Sequence, residues 1–329
     1  MKTLHLFVAL AVLGFAMPAA LGGTHWDLQA VDADGVGTWT GSATVTGIIL
    51  NDPAAMLDPT ANFLPWDSGA NMFRLGGQWQ LFVQSADVRD HAGTACWMGQ
   101  NYGNMPWLHN DLLSYTNAEW QAELDRLNHD PTTGRAFQVG DLVQVTANNT
   151  GFYGGKTNIN EGHNKSSAFD LSIELIEADY GLPMPELVTL GMLVAPDDGD
   201  DATHEDHFDA TRLSGGEYFQ GRRIRINDVS LSDAAGWGAE AWDDRLCAIT
   251  DGSGRILPLR LPRGSVGGLG PAPGGAFDVI GIVNQESGSG SDGTYGYELY
   301  ATEIVSVPEP GCLAFLGAGA AALLRRRKR

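Results

Sequence analysis

Short segments with the composition of β-strands, separated by turn residues, recur along most of this 329-residue chain and constrain its fold more than any other feature. In the first half, such segments are Ala43–Leu50, Gln78–Gln84, Gly93–Met98, Leu142–Thr146 and Gly155–Ile159. Most of them are rich in β-branched residues or alternate polar with apolar residues, which is typical of strands. The sequence therefore predicts a mainly β protein.

One helix is predicted within this series. Thr116 and Glu119 have the spacing of a capping box, and Trp120, Leu124 and Leu127 follow at the spacing of one buried helix face. The predicted order is therefore three strands, one helix and two strands. This order matches the OB-fold, a small five-stranded Greek-key barrel. A two-sheet sandwich of short strands is the alternative that the same pattern permits.

The strand segments of the first half resemble bacterial extracellular OB-fold modules. The phrases Val45–Ile48, Gly140–Val145 and Gly155–Thr157 are similar to the first, fourth and fifth strands of such modules. A residue other than glycine follows the fourth strand, where those modules usually have glycine. The resemblance implies a first OB-fold-like domain, with a long insert, over residues 23–182.

The second half repeats the pattern without the helix. Glu217–Leu231 resembles the phrase that opens such a module. Asp251–Gly254 is a strong hairpin-turn sequence, and Pro262–Gly275 is a glycine- and proline-rich loop in place of the helix. The other predicted strands are Arg245–Thr250, Arg255–Leu261, Phe277–Asn284 and Tyr295–Ile304. A second OB-fold-like domain is thus predicted over residues 217–306, joined to the first by an acidic linker over residues 183–216.

Both ends of the chain carry export features. Lys2 precedes the apolar stretch Leu4–Met17, and small residues follow, which predicts a cleaved signal peptide over residues 1–22. At the other end, residues 307–329 combine a short motif, an apolar run from Cys312 to Leu324 and a basic cluster. The motif and the cluster consist of Val307, Pro308, Glu309 and Pro310, and of Arg325, Arg326, Arg327, Lys328 and Arg329.

This tail closely resembles the PEP-CTERM sorting signal of Gram-negative bacteria. Its thirteen apolar or small residues make a short hydrophobic helix of roughly 20 Å, less than the ~30 Å of a hydrocarbon core. The predicted association with the inner membrane is therefore transient. The resemblance implies processing by an exosortase-type sorting peptidase, followed by delivery to the cell surface or the extracellular matrix.

The charge of the chain bears on its partners. It has 40 Asp and Glu against 20 Lys and Arg, for a formal net charge of −20. Five of the basic residues belong to the tail, so the exported part is more acidic still. A field of this sign repels the phosphates of nucleic acids and disfavours them as partners. An extracellular nucleic-acid-binding module, which the OB-fold suggests by analogy, stays as an alternative function.

A cluster of acidic residues and histidines lies in the predicted linker. Its members are Asp197, Asp198, Asp200, Asp201, His204 and His207. Carboxylate oxygens are the ligands that Ca²⁺ prefers, so the cluster is a candidate calcium site, although its spacing does not match an EF-hand. The histidines could join a carboxylate around Zn²⁺, but a third strong ligand is not evident. A solvated linker without metal is the alternative, and no other cofactor is predicted.

Aromatic residues are the candidate ligand-binding groups. Trp66, Trp97 and Trp107 lie in an aromatic-rich stretch of the first predicted domain. Exposed aromatic rings on an OB-fold face stack on sugars or bases, whereas buried ones fill the core, and both interpretations stay open here. Because the acidic charge disfavours nucleic acid, we expect a glycan, with exopolysaccharide as the partner.

Catalysis is not predicted. The sequence has neither an H-E-x-x-H zinc motif nor a phosphate-binding G-x-x-x-x-G-K motif, and its near matches to G-x-S-x-G lie in turn sequences. The predicted function is that of a non-catalytic surface or matrix protein, and a hydrolase with a site in residues 63–135 is the second alternative. Cys96 and Cys247 either form a disulfide or are two separate buried thiols.

Overall fold

The computed structural model describes residues 23–61, 76–100, 113–160, 165, 171–200, 204–265, 268–288 and 292–306. Over these residues the chain is mainly β, which confirms the predicted class. The predicted signal peptide, the sorting tail, Trp66, Trp107 and Asp201 lie outside the described residues.

The described residues of the first half form seven strands and three helices. The strands are β1 (Ala43–Ile49), β2 (Gln78–Ser85), β3 (Gly93–Gly99), β4 (Leu142–Ala147), β5 (Thr150–Tyr153), β6 (Lys156–Ile159) and β7 (Leu171–Glu177). The helices are α1 (His25–Leu28), α2 (Pro53–Met56) and α3 (Asn117–Asn128). Five of the strands and α3 lie at the predicted positions, whereas the short β5 and the edge strand β7 were not predicted.

Helix α3 begins as its sequence predicts. The Thr116 hydroxyl accepts a hydrogen bond from the Glu119 backbone N–H, and the Glu119 carboxylate accepts one from the Thr116 backbone N–H. These two bonds form the capping box, which satisfies N–H groups that lack partners inside the helix. Trp120, Leu124 and Leu127 are all buried in the first core, so the predicted apolar face is confirmed.

The first seven strands form one sheet in the order β5-β6-β3-β2-β1-β4-β7. The β3–β6 pair is parallel, and the other pairs are antiparallel. The core on this sheet contains the largest buried aromatic residues of the first half, Trp79 and Trp120, and the sheet residues Val45, Val83 and Val143.

The second half forms a five-stranded barrel. Its strands are β9 (Arg223–Asp233), β10 (Leu246–Thr250), β11 (Ile256–Arg260), β12 (Phe277–Gln285) and β13 (Tyr297–Ser306). The order is β10-β11-β13-β12-β9, and an additional β10–β9 pairing closes the ring. The β11–β13 pair is parallel. The predicted turn Asp251–Gly254 joins the antiparallel strands β10 and β11, as expected.

The predicted acidic linker, residues 183–216, contributes to the second unit. It contains the short strand β8 (Glu186–Leu187), which pairs with β9, and the helix α4 (Gly215–Tyr218). Its apolar residues Val188, Leu190, Leu193 and Val194 are all buried in the core of the barrel. Residues 183–200 and 204–216 are therefore part of the folded second unit, and the described residues of the acidic cluster lie within these two ranges.

A third apolar cluster joins the two halves. Phe82 and Ala95, from the outer face of β2 and β3, pack against Ile282 and Tyr300 from the barrel. Leu50, Met56 and Leu57 complete the cluster. Since all of these side chains are buried, the contact between sheet and barrel has the character of a core.

Cys96 and Cys247 are free thiols. Cys96 lies in the first core and Cys247 in the second, so the alternative of two separate buried thiols is the one observed. Burial raises the pKa of the Cys96 thiol to about 12, which makes the reactive thiolate scarce. None of the helices in the described part of the chain is long and apolar enough to cross a membrane.

Candidate functional site

A cavity of about 510 Å³ opens on the outer face of the barrel. Leu246, Ile256, Pro258 and Arg260 of β10 and β11 line it, together with the β12–β13 connection and the segment around His204. Side chains along a strand alternate between the two faces of the sheet. The residues between these lining residues, such as Leu257 and Leu259, therefore point into the core. We call this the barrel-face cavity.

A buried ion pair forms one wall of the barrel-face cavity. Arg260 donates to Glu298 through Nη2 at 2.8 Å and through Nε at 3.1 Å. Their side chains are only 8% and 3% exposed. Asn284 donates to the second oxygen of Glu298 at 2.8 Å. The Arg260 guanidinium also lies 4.2 Å from the Trp242 ring centroid, a cation–π contact. The pair is thus fully supported by further contacts, as a buried charge requires.

An aromatic pair lies at the mouth of the cavity. The rings of His204 and Tyr295 stack with their centroids 3.9 Å apart and their planes 8° apart. His204 is exposed and Tyr295 is half-buried, so this flat pair is in contact with solvent. Such a surface is suited to stacking on a planar or pyranose ring.

Acidic groups dominate the lining. Asp197, Asp200, Glu205, Asp206, Glu286 and Glu298 line the cavity, and Arg260 is the one lysine or arginine among the described lining residues. Burial raises the pKa of the Asp206 carboxyl, although it accepts a hydrogen bond from the Gly296 N–H at 2.9 Å. Glu286 pairs with Lys156 from the first sheet at 2.9 Å. The cavity therefore favours neutral or cationic ligands over anionic ones.

The predicted metal-binding residues are only partly brought together. Asp197, Asp198 and Glu205 place one carboxylate oxygen each within 4.8 Å of one another, and Glu205 is not one of the predicted ligands. Asp200 and His204 line the same cavity, whereas the backbone of His207 bonds to Leu193 and Gly216. With one oxygen from each carboxylate, the cluster supplies three of the six to eight oxygens that Ca²⁺ takes, and two of the three residues are exposed.

The described tryptophan of the predicted ligand-binding set lies away from this cavity. Trp97 is half-buried and packs against the cluster between sheet and barrel. The aromatic residues that line the barrel-face cavity are instead Tyr295 and Tyr297. No local pattern shows that these tyrosines border a cavity, because the β12–β13 connection meets the segment around His204 only in the folded barrel.

In comparisons with protein-family models, with curated proteins and with solved structures, no match to this chain is found.

Proposed function

We propose that this chain is an exported, non-catalytic bacterial surface or extracellular-matrix protein that binds a glycan through the outer face of its second barrel.

The strand order supports two OB-fold-like units. In the second unit, β9, β10 and β11 pair in sequence, β11 pairs in parallel with the last strand, and β12 returns to β9. This is the strand order of an OB-fold barrel. The first sheet follows the same order if β4 and β5 are taken as two halves of one bent strand, with β6 as the fifth.

The position of the cavity is the observation that carries the proposed binding function. OB-folds bind oligosaccharides and oligonucleotides on the face of their second and third strands, between the loops after strands one and four. In this barrel those strands are β10 and β11, and the barrel-face cavity lies on them next to the β12–β13 loop. Its volume is within the ~300–1,000 Å³ that is usual for small-ligand sites.

The lining favours a glycan over a nucleic acid. Tyr295 and His204 offer a stacking surface, and the surrounding carboxylates can accept hydrogen bonds from sugar hydroxyls. The same carboxylates repel phosphates. The Glu298 carboxylate is bound to both Arg260 and Asn284, which supports a structural rather than a catalytic role for it.

Binding can be tested on a glycan array with the full-length protein, alongside single-stranded DNA at physiological salt. We expect saturable glycan binding that Tyr295→Ala reduces at least tenfold and that Tyr180→Ala, an exposed tyrosine outside the cavity lining, leaves unchanged. Saturable DNA binding would refute the proposal. Hydrolysis of a bound glycan that Asp206→Asn abolishes would instead identify an enzyme.

The tail supports the proposed route. Its resemblance to a PEP-CTERM signal implies an exosortase-type peptidase as a partner at the inner membrane. Cell fractionation tests this independently of binding: deletion of residues 307–329 is expected to change where the mature protein accumulates. An identical distribution with and without the tail would contradict sorting.

A further inference from the structure

The charges around the barrel-face cavity narrow the class of glycan. Six acidic side chains line it, against one arginine among the described lining residues. That arginine is held by Glu298 in a bidentate pair, and Lys156, which lies close by, is held by Glu286. Both cations are therefore neutralised by partners within the protein, and the remaining field at the cavity is negative.

The aromatic pair and the acidic wall lie on the same cavity. Tyr295 and His204 form a flat surface at its mouth, and Glu205 and Asp206 are close to His204 along the chain. A ligand that fits these groups presents a ring to the aromatic pair and positive charge to the carboxylates.

Building on the proposed glycan binding, we infer that the ligand is a cationic amino-sugar polysaccharide, a chain of hexosamines with free ammonium groups. A uronic-acid polymer is repelled by the excess of carboxylates in the lining, and a neutral glycan gains nothing from their charge. A basic peptide supplies charge but has no pyranose ring for the stacked pair.

A matched pair of oligosaccharides tests this inference. The probes are a β-1,4-linked tetramer of N-acetylglucosamine and its fully deacetylated form, measured by calorimetry against the full-length protein with a chelator present. The two differ in their amine groups and share one backbone. An exposed ion pair contributes up to about fivefold in affinity. If two ammonium groups of the tetramer each form a pair of about threefold, the deacetylated tetramer binds about tenfold more tightly at low salt, and this is the preference that we expect. Added salt should reduce this preference.

Charge-neutralising variants identify the site. The pair Asp197→Asn and Glu205→Gln is expected to remove the preference, because both carboxylates line the cavity. The matched control, Glu174→Gln combined with Glu177→Gln, removes two exposed carboxylates from β7, outside the cavity lining, and should preserve the preference.

The results also separate the inference from the proposed function. Equal affinity for the two tetramers, or tetralysine binding as tightly as the deacetylated sugar, would overturn the inference. Binding of uncharged glycans that depends on Tyr295 would then still support the proposed function, whereas absence of all glycan binding would refute both.

Discussion

The buried pair Arg260–Glu298 gives the sharpest test of the barrel-face cavity. Arg260→Met keeps most of the side-chain volume but removes the guanidinium donors to Glu298, whose side chain is 3% exposed. Of the contacts described above, only the one from Asn284 then reaches that carboxylate. Removing one partner of a buried ion pair typically costs about 3–5 kcal/mol, because an uncompensated charge stays behind. We expect a loss of about this size in the free energy of unfolding.

A double-mutant cycle separates this loss from a simple loss of packing. The variants are Arg260→Met, Glu298→Leu and their combination, compared by urea unfolding of the full-length protein. If the charges compensate each other, the double variant is more stable than the sum of the single changes predicts, by about 1–3 kcal/mol. The surface pair Arg89–Asp87, 87% and 46% exposed, is the control and should show no measurable coupling. Strict additivity at Arg260 and Glu298 would refute the argument.

Further predictions concern the rest of the fold. Phe82→Ala should lower the free energy of unfolding by about 3–5 kcal/mol, and sheet and barrel should unfold together in one transition, since Phe82 is fully buried between them. Two separated transitions would argue against a shared core. Burial raises the pKa of Glu217 from 4.5 to about 7, so the folded state holds its proton more tightly than the unfolded state. That stabilisation amounts to about 3 kcal/mol in the free energy of unfolding. It is fully present below about pH 4.5 and is lost as the pH rises through about 7. Unfolding of Glu217→Gln between pH 4.5 and 7.5 should lack this slope, and an unchanged slope would rule out Glu217 as its source. Thr116→Ala should cost about 1 kcal/mol, measurable by thermal unfolding, whereas Thr116→Ser should cost little.

Much of the β architecture could be predicted because its signals are local. The capping box at Thr116 and the hairpin turn before β11 each depend on a few neighbouring residues. The segment of β7 alternates Leu171, Ser172 and Ile173, so this strand was detectable and was missed. The two-residue strand β8 has no such pattern, because it exists only through its pairing with β9.

The candidate site was less accessible to sequence reasoning. Arg260 and Glu298 lie 38 positions apart, and only the parallel pairing of β11 with β13 places them side by side. Asp206 and Gly296 meet across 90 positions, when the segment before α4 folds against the β12–β13 connection. The acidic cluster was visible as composition, but its position on a cavity wall follows from tertiary contacts that no local pattern encodes.

The first unit contacts the loop after β12, which borders the barrel-face cavity. Lys156 of β6 binds both the Gln285 carbonyl and Glu286, where the loop after β12 begins. The Gly154 carbonyl accepts a hydrogen bond from the Ser287 N–H at 3.1 Å. Gly35, at φ 72°, packs so closely on this loop that a Cβ would lie 2.7 Å from the Gly293 carbonyl carbon. Since Glu286 and Tyr295 line the cavity on the same loop, the first unit helps to hold the proposed glycan site in place.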